Sequence, residues 1–131
     1  MITAEDASRT IAGARKKAEE IGQPVDIAVV DAGRNLKAFV RMDGALLGSI
    51  DIAINKAFTA ASFNLSTREL AEMTQPGGPL FGINTTNDGR IVIFAGGIPL
   101  ERDGEVMGAV GVSSGTVEQD QAIAEAGAAA F

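Results

Sequence analysis

Two hairpin signals constrain the fold of this chain more than any other feature. The runs VDIAVVD and LKAFVRM are joined by AGRN, and the later runs IPLERDG and EVMGAVGVSS turn at Asp103-Gly104. Links of this kind favour antiparallel hairpins, because glycine readily supplies the positive φ that tight turns need. A further β-rich run, RIVIFAG, brings the predicted number of strands to five.

Capping signals mark the helices that accompany these strands. Capping-box pairs are Thr3 with Asp6, Ser66 with Glu69, and Thr116 with Gln119. The first helix also repeats apolar residues at spacings of three and four and stops at Gly22. Helices and strands do not alternate regularly along the chain. The sequence therefore predicts a single α+β domain over 1–131, with a five-stranded antiparallel sheet and helices packed on it.

Composition excludes several classes of function. The chain carries 17 acidic and 11 basic residues, for a net charge of −6, which argues against a nucleic-acid partner. It has no cysteine and no histidine, and its carboxylates lack calcium-loop spacing, so we expect no metal site. The N-terminus is too acidic for a signal peptide, and no apolar run reaches the roughly 18 residues of a membrane span. We therefore expect a cytoplasmic protein with no membrane partner.

The segment DIAINKAFTAASF places one lysine in an apolar helix. Lys56 is its only charge after Asp51. A desolvated lysine loses its proton more easily, and it can then act as a base or as a nucleophile. Alternatively, its stem lies along an apolar surface with the ammonium at the edge, or the ammonium pairs with one structural carboxylate. The sequence leaves both interpretations open, and Lys56 is our first catalytic candidate.

Further candidates lie around the first hairpin. Asp31 ends the first strand and is the second catalytic candidate, the alternative being an aspartate that bonds its own turn. Arg41 has the planar fork that suits a substrate carboxylate. Asp43 is its neighbour in the candidate ligand site, or the two form an exposed ion pair of little energetic value.

The start of the last helix is a third candidate region. Ser113, Ser114 and Gly115 lead directly into it, so free backbone N–H groups and the positive end of the helix dipole meet there. Such a site suits a carboxylate or a phosphate of a ligand. The alternative is an ordinary helix cap.

Four motifs together resemble those of a known family. They are VVDAGRNLKAFVRMDGA, INKAFTAASF, GGIPLERDGEVMGAVGVSSGT and QDQAIAEAG. In order and spacing they resemble the GlcG/HbpS family, a haem-degrading domain family related to the C-terminal domain of PduO-type proteins. The resemblance covers nearly the whole chain. It implies a profilin-like fold, assembly into oligomers and, in several members, binding of haem or a corrinoid-related ligand.

Haem is accordingly a candidate cofactor. Histidine, tyrosine and cysteine, which hold haem iron in many proteins, are all absent here. The remaining iron ligands are the methionines, Lys56 and a hydroxyl such as that of Thr59.

Three functions follow from these observations. The leading hypothesis is a protein that binds a small anionic organic ligand around Lys56, with an enzymatic role in the catabolism of organic acids or aromatics left open. The first alternative is a haem-binding or haem-degrading module that holds the propionates through Lys56 and Arg41. The second alternative is a structural accessory protein with no small ligand. In each case the alanine-rich C-terminal helix ending in Phe131 predicts a homo-oligomer with a two-fold interface.

Overall fold

One antiparallel sheet of four strands organises the computed structural model, which describes residues 1–131. The helices and strands are, in chain order, α1 (Ala4–Ile21), β1 (Asp26–Asp31), β2 (Leu36–Arg41), α2 (Gly48–Phe63), α3 (Thr67–Met73), β3 (Gly97–Arg102), β4 (Glu105–Ser113) and α4 (Val117–Ala130). Two 3₁₀ turns, Ile83–Thr85 and Asn87–Gly89, lie between α3 and β3. The strand order is β2-β1-β4-β3, and each neighbouring pair is antiparallel. The α+β class is confirmed.

The predicted fifth strand, RIVIFAG, is wrong. Its backbone reaches a strand only at its last residue, where the carbonyl of Gly96 accepts the N–H of Val112 at 2.9 Å. In its middle, Val92 donates its N–H to a side chain, Thr59 Oγ1, at 3.0 Å. Its apolar residues are used in other ways, since Ile91 is buried in a cluster with Phe58 and Leu70. The run is therefore apolar because it covers α2 and α3, and it stays irregular up to the start of β3.

The predicted helix ends are confirmed. All three capping boxes form, with the side chains of Thr3, Ser66 and Thr116 accepting bonds from backbone N–H groups of their first turns. Gly22 ends α1 in the left-handed conformation at φ 71°. Local side-chain chemistry thus determines where α1, α3 and α4 begin, whereas α2 begins without a side-chain cap.

Helices cover both faces of the sheet. Ile27 and Val29 of β1 point into a core shared with α1 and α4. Ala28 and Val30, which alternate with them, pack against α2. Because successive side chains of a strand point to opposite faces, one strand serves both cores.

The alanines of α4 have packing partners within the chain. A Cβ added to Gly127 would lie 3.1 Å from the Cβ of Ala14 in α1. Phe131, at the end of α4, packs against Arg102. The guanidinium carbon of Arg102 lies 4.3 Å from the ring centroid of Phe131. Part of the small-residue surface from which we expected an oligomer interface therefore already serves the contact between α1 and α4, and oligomerisation stays a prediction.

Close approach of backbones sets the position of α2 on the sheet. A Cβ added to Gly111 of β4 would collide with the carbonyl oxygen of Ala53 and would lie 2.6 Å from the backbone nitrogen of Ala57. Only a residue without a Cβ permits this spacing. The contact holds α2 so near to β4 that the side chain of Lys56 must pass beside the strand.

We expect Gly111→Ala to lower the free energy of unfolding by about 2 kcal/mol or more, because overpacking a core displaces backbone. Gly48→Ala is the matched control, since a Cβ there would meet nothing within 4 Å. Urea denaturation of both variants measures the difference. Equal stabilities would contradict the proposed closeness of α2 and β4.

Candidate functional site

Lys56 lies completely buried and is bound by other parts of the chain. Its Nζ donates to Asp120 Oδ2 at 3.0 Å and to the carbonyl oxygen of Val112 at 2.8 Å. The ring of Phe94 lies on another side of the ammonium, with its centroid 5.0 Å away. Asp120 Oδ1 in turn accepts the N–H of Gly115 at 2.9 Å. The pair therefore connects α2 to the end of β4 and to the first turn of α4.

Burial favours the neutral form of both partners, and it shifts the pKa of each accordingly. Desolvation lowers the pKa of Lys56 and raises the pKa of Asp120, while the attraction between the two charges opposes both shifts. The N–H of Gly115 also opposes the shift of Asp120. Because the two groups interact directly, the protonation of one depends on the protonation of the other.

A glycine leaves the space that the ammonium occupies. A Cβ added to Gly96 would lie 2.7 Å from Lys56 Nζ and 2.6 Å from the carbonyl oxygen of Val112. Gly96 also has a φ of 125°, which side-chain-bearing residues rarely adopt. The approach of this backbone to Lys56 therefore depends on glycine.

The largest cleft of the molecule opens beside this pair. It has a volume of about 670 Å³, and its walls come from α3, α4 and the segment 93–95. Phe94 belongs to both features, because its ring covers Lys56 and also lines the cleft. The residues that line the cleft are Arg68, Ala71, Glu72, Gln75, Ile93, Phe94, Ala95, Val117, Glu118, Gln121, Ala122 and Glu125. Lys56 itself is not among them.

The charges at the cleft are mostly negative. Arg68 is the one basic residue among the lining side chains, against three glutamates. Arg68 Nη1 lies 3.7 Å from Glu125 Oε1, so the pair spans from α3 to α4. None of the four methionines lines the cleft. The usual ligands of haem iron are therefore missing from its walls.

Two of the predicted site residues, Asp31 and Thr59, form hydrogen bonds within their own turn or helix. Asp31 Oδ1 accepts the N–H groups of Gly33 and Asn35, both at 2.9 Å, as expected of a turn-forming aspartate. Thr59 donates its hydroxyl to the carbonyl of Asn55 at 2.7 Å. Neither residue lies among the side chains that line the large cleft.

Arg41 and Asp43 lie exposed near the end of β2, and they do not form a salt bridge with each other. Neither of them lines the large cleft. The structure therefore does not bring Arg41 together with Lys56 in one pocket, although the sequence predicted that both contribute to ligand binding.

The groups before α4 have partners inside the chain. Ser113 Oγ bonds to Ser49 Oγ at 3.1 Å, and Ser114 Oγ accepts the N–H of Leu46 at 3.0 Å. The N–H of Gly115 is bound to Asp120, as described above. These contacts fasten the start of α4 to the N-terminal end of α2.

Sequence reasoning missed Asp120, the partner of Lys56. A signal was present, because Asp120 shares a helical stripe with the buried residues Ile123, Ala124 and Gly127. An acidic residue on an apolar stripe indicates a buried carboxylate that needs a partner. Phe94 was missed because its segment was predicted to be a strand.

Asp26 is a second buried carboxyl group, and it has no hydrogen-bond partner at either oxygen. It lies on the face of β1 that packs against α2, with Arg41 and Ser113 as its cross-strand neighbours. Burial raises the pKa of Asp26, and the charge of Arg41 opposes this shift only in part. The group is therefore stabilised in its protonated form.

Other kinds of site find no support in the geometry. No three Asp and Glu side chains converge in a way that could hold a metal ion. None of the helices is both long enough and apolar enough to cross a bilayer.

The chain is similar to known proteins over nearly its whole length. Residues 2–129 match the family described as "Haem degrading protein HbpS-like". An uncharacterized 15.0 kDa protein from the dhaT-dhaS intergenic region of Citrobacter freundii is 48% identical over 124 residues, which are 95% of this chain and 87% of that protein.

Solved structures are similar to the same extent. The crystal structure of the Klebsiella pneumoniae protein ORFY has a TM-score of 0.96 at 45% identity, covering 99% of this chain and 90% of that one. A PduOC:heme complex has a TM-score of 0.95 at 37% identity, covering 99% and 94% of the two chains.

Removing one member of the buried pair should lower the free energy of unfolding more than replacing both members with uncharged residues. We expect Lys56→Met to lower the free energy of unfolding by about 3 kcal/mol, because it leaves Asp120 buried without its cation. Lys56→Met combined with Asp120→Asn should regain at least half of that loss. Denaturant unfolding at neutral pH gives the complete double-mutant cycle. Additive effects of the two substitutions would contradict the pairing.

The stability of the protein should depend on the protonation of Asp26. A carboxyl whose pKa is raised by folding keeps its proton to higher pH than in the unfolded chain, so stability falls as the pH rises above about 4. Asp26→Asn removes this titration. We therefore expect the stability of Asp26→Asn relative to wild type to increase from about pH 4 upward, as measured by thermal unfolding across pH. A difference that is constant with pH would disprove the shift.

Proposed function

Because the chain belongs to the HbpS-like family, we propose that it is a binding protein for a flat, mostly apolar ligand of the porphyrin class. The ligand lies in the cleft between α3, α4 and the segment 93–95. The observation that carries this proposal is the cleft itself, whose volume of about 670 Å³ falls in the range typical of small-molecule sites.

The lining of the cleft supports an apolar ligand body. Phe94 offers an aromatic face that is 42% exposed, and Val117 is exposed to the same extent. When a ligand covers half-exposed apolar side chains in a concave site, apolar surface leaves water and the free energy of binding becomes more favourable. Three glutamates against one arginine make the same cleft unfavourable for a small ligand that is mainly anionic.

Haem is the porphyrin that relatives suggest, because one of them has been crystallised as a heme complex. The ring suits the apolar walls, and Arg68 would bind one propionate by exchanging its long contact with Glu125, 3.7 Å away, for the ligand. The iron does not fit in the same way, since the cleft has no histidine, cysteine, tyrosine or methionine. We therefore propose that the cleft binds the porphyrin ring. No side chain of the protein ligates the iron, and the protein does not oxidise the ring.

The small anionic ligand at Lys56 that the sequence favoured is the second candidate. It requires the ammonium to leave Asp120 and Val112, and it requires the fully buried Nζ, which Phe94 covers on one side, to become accessible. Both steps oppose binding, so this candidate ranks below the porphyrin. A structural accessory protein would bind neither class of ligand.

The proposal predicts that the iron adds little to the affinity. We expect hemin and iron-free protoporphyrin IX to bind with dissociation constants within about threefold of each other, which is less than 1 kcal/mol. Absorbance titration for hemin and fluorescence titration for the free porphyrin give the two values. A hemin affinity more than tenfold greater would show that the chain ligates the iron.

A cleft-filling variant tests the location. Ala122→Trp occupies part of the cleft and should weaken binding of both porphyrins at least tenfold, about 1.4 kcal/mol. Ala12→Trp is the matched control, because Ala12 is exposed on α1 and does not line the cleft. Equal affinities of the two variants would exclude the cleft, and no saturable binding by wild type would exclude the function.

A further inference from the structure

Two arginines without a carboxylate partner lie against one aromatic ring. The guanidinium carbon of Arg90 is 3.7 Å from the ring centroid of Phe58, and that of Arg34 is 4.9 Å from it. Neither arginine forms a salt bridge, although acidic residues outnumber basic ones by 17 to 11. Both cations therefore lie against the same ring, and no salt bridge within the chain neutralises either of them.

Arg90 is held in one orientation. Its Nε donates to Asn55 Oδ1 at 2.9 Å, and the buried Asn55 is fixed in turn by Asp51, whose Oδ2 accepts from Asn55 Nδ2 at 3.0 Å. The two Nη groups of Arg90 have no hydrogen-bond partner in the chain. An immobilised guanidinium with free terminal groups loses little entropy when it binds an anion.

Arg34 occupies a backbone conformation that does not suit it. Its φ of 68° lies in the left-handed region, at the turn between β1 and β2. Arginine is disfavoured there by sterics, and glycine would adopt the same φ without strain. Its only side-chain hydrogen bond is a long one, 3.5 Å from Nη1 to Ser62 Oγ. The turn therefore carries an arginine at a position where its backbone geometry favours glycine.

We propose that Arg34 and Arg90 bind an oxyanion group, the phosphate or carboxylate of a small molecule, through their Nη groups, none of which forms a salt bridge within the chain. The planar fork of arginine matches both kinds of oxyanion, and Phe58 holds the two forks in place by cation–π contact. Neither arginine lines the large cleft, so this site is separate from the proposed porphyrin site.

The test is an NMR titration of the arginine side-chain N–H resonances at constant ionic strength. Inorganic phosphate and succinate are the two probes, and chloride sets the background. We expect the resonances of Arg34 and Arg90 to shift saturably with millimolar or tighter affinity for at least one probe. The probe that binds more tightly identifies the oxyanion. Shifts that do not saturate with either probe would overturn the proposal.

Variants separate binding from folding. Arg34→Gly should weaken binding at least tenfold while the melting temperature stays equal or rises, because glycine relieves the left-handed backbone. Arg90→Lys keeps the charge, loses the fork and should also weaken binding.

Arg41→Gln is the matched control, since Arg41 is exposed, has no salt bridge and does not stack on an aromatic ring. It should bind the probe within twofold of wild type. Binding by Arg34→Gly equal to that of wild type, or an equal loss in Arg41→Gln, would overturn the site.

Discussion

The ion pair of Lys56 and Asp120 connects the two helical layers around the end of the sheet. Lys56 belongs to α2 on one face, Asp120 belongs to α4 on the other, and the carbonyl of Val112 in β4 lies between them. A buried pair adds little net stability compared with apolar packing, but it is costly to separate. It therefore acts mainly to specify how α4 is placed relative to α2, and the glycines at 96 and 111 leave the space that it needs.

The irregular segment between α3 and β3 depends on this arrangement. Its end is tied to α4, because Gly96 donates its N–H to Gln121, and its middle is tied to α2 through Val92 and Thr59. Because side chains bind its backbone at Val92 and Gly96, it need not pair like a strand. It can thus present Phe94 to the large cleft and Arg90 to the ring of Phe58. Both proposed sites rest on this one segment.

Local features of the structure were predictable, and long-range partners were not. The three capping boxes, the left-handed Gly22 and both hairpins depend on residues a few positions apart, so the sequence pattern predicts them directly. RIVIFAG has the composition of a strand, yet only its last residue, Gly96, bonds to a strand backbone. Its apolar side chains are equally satisfied by packing on α2 and α3, and composition alone does not distinguish the two cases.

The sequence by itself determined the secondary structure around the site, the family resemblance and the presence of a lysine that needed a partner. Only the tertiary structure decided that the partner is Asp120, which is 64 residues away. It also decided that Phe94 covers Lys56, which does not line the cleft, and that Arg34 and Arg90 both lie against the ring of Phe58. The physical reason is that burial and pairing depend on which surfaces pack together, and such contacts join residues whose separation in sequence carries no periodic signal.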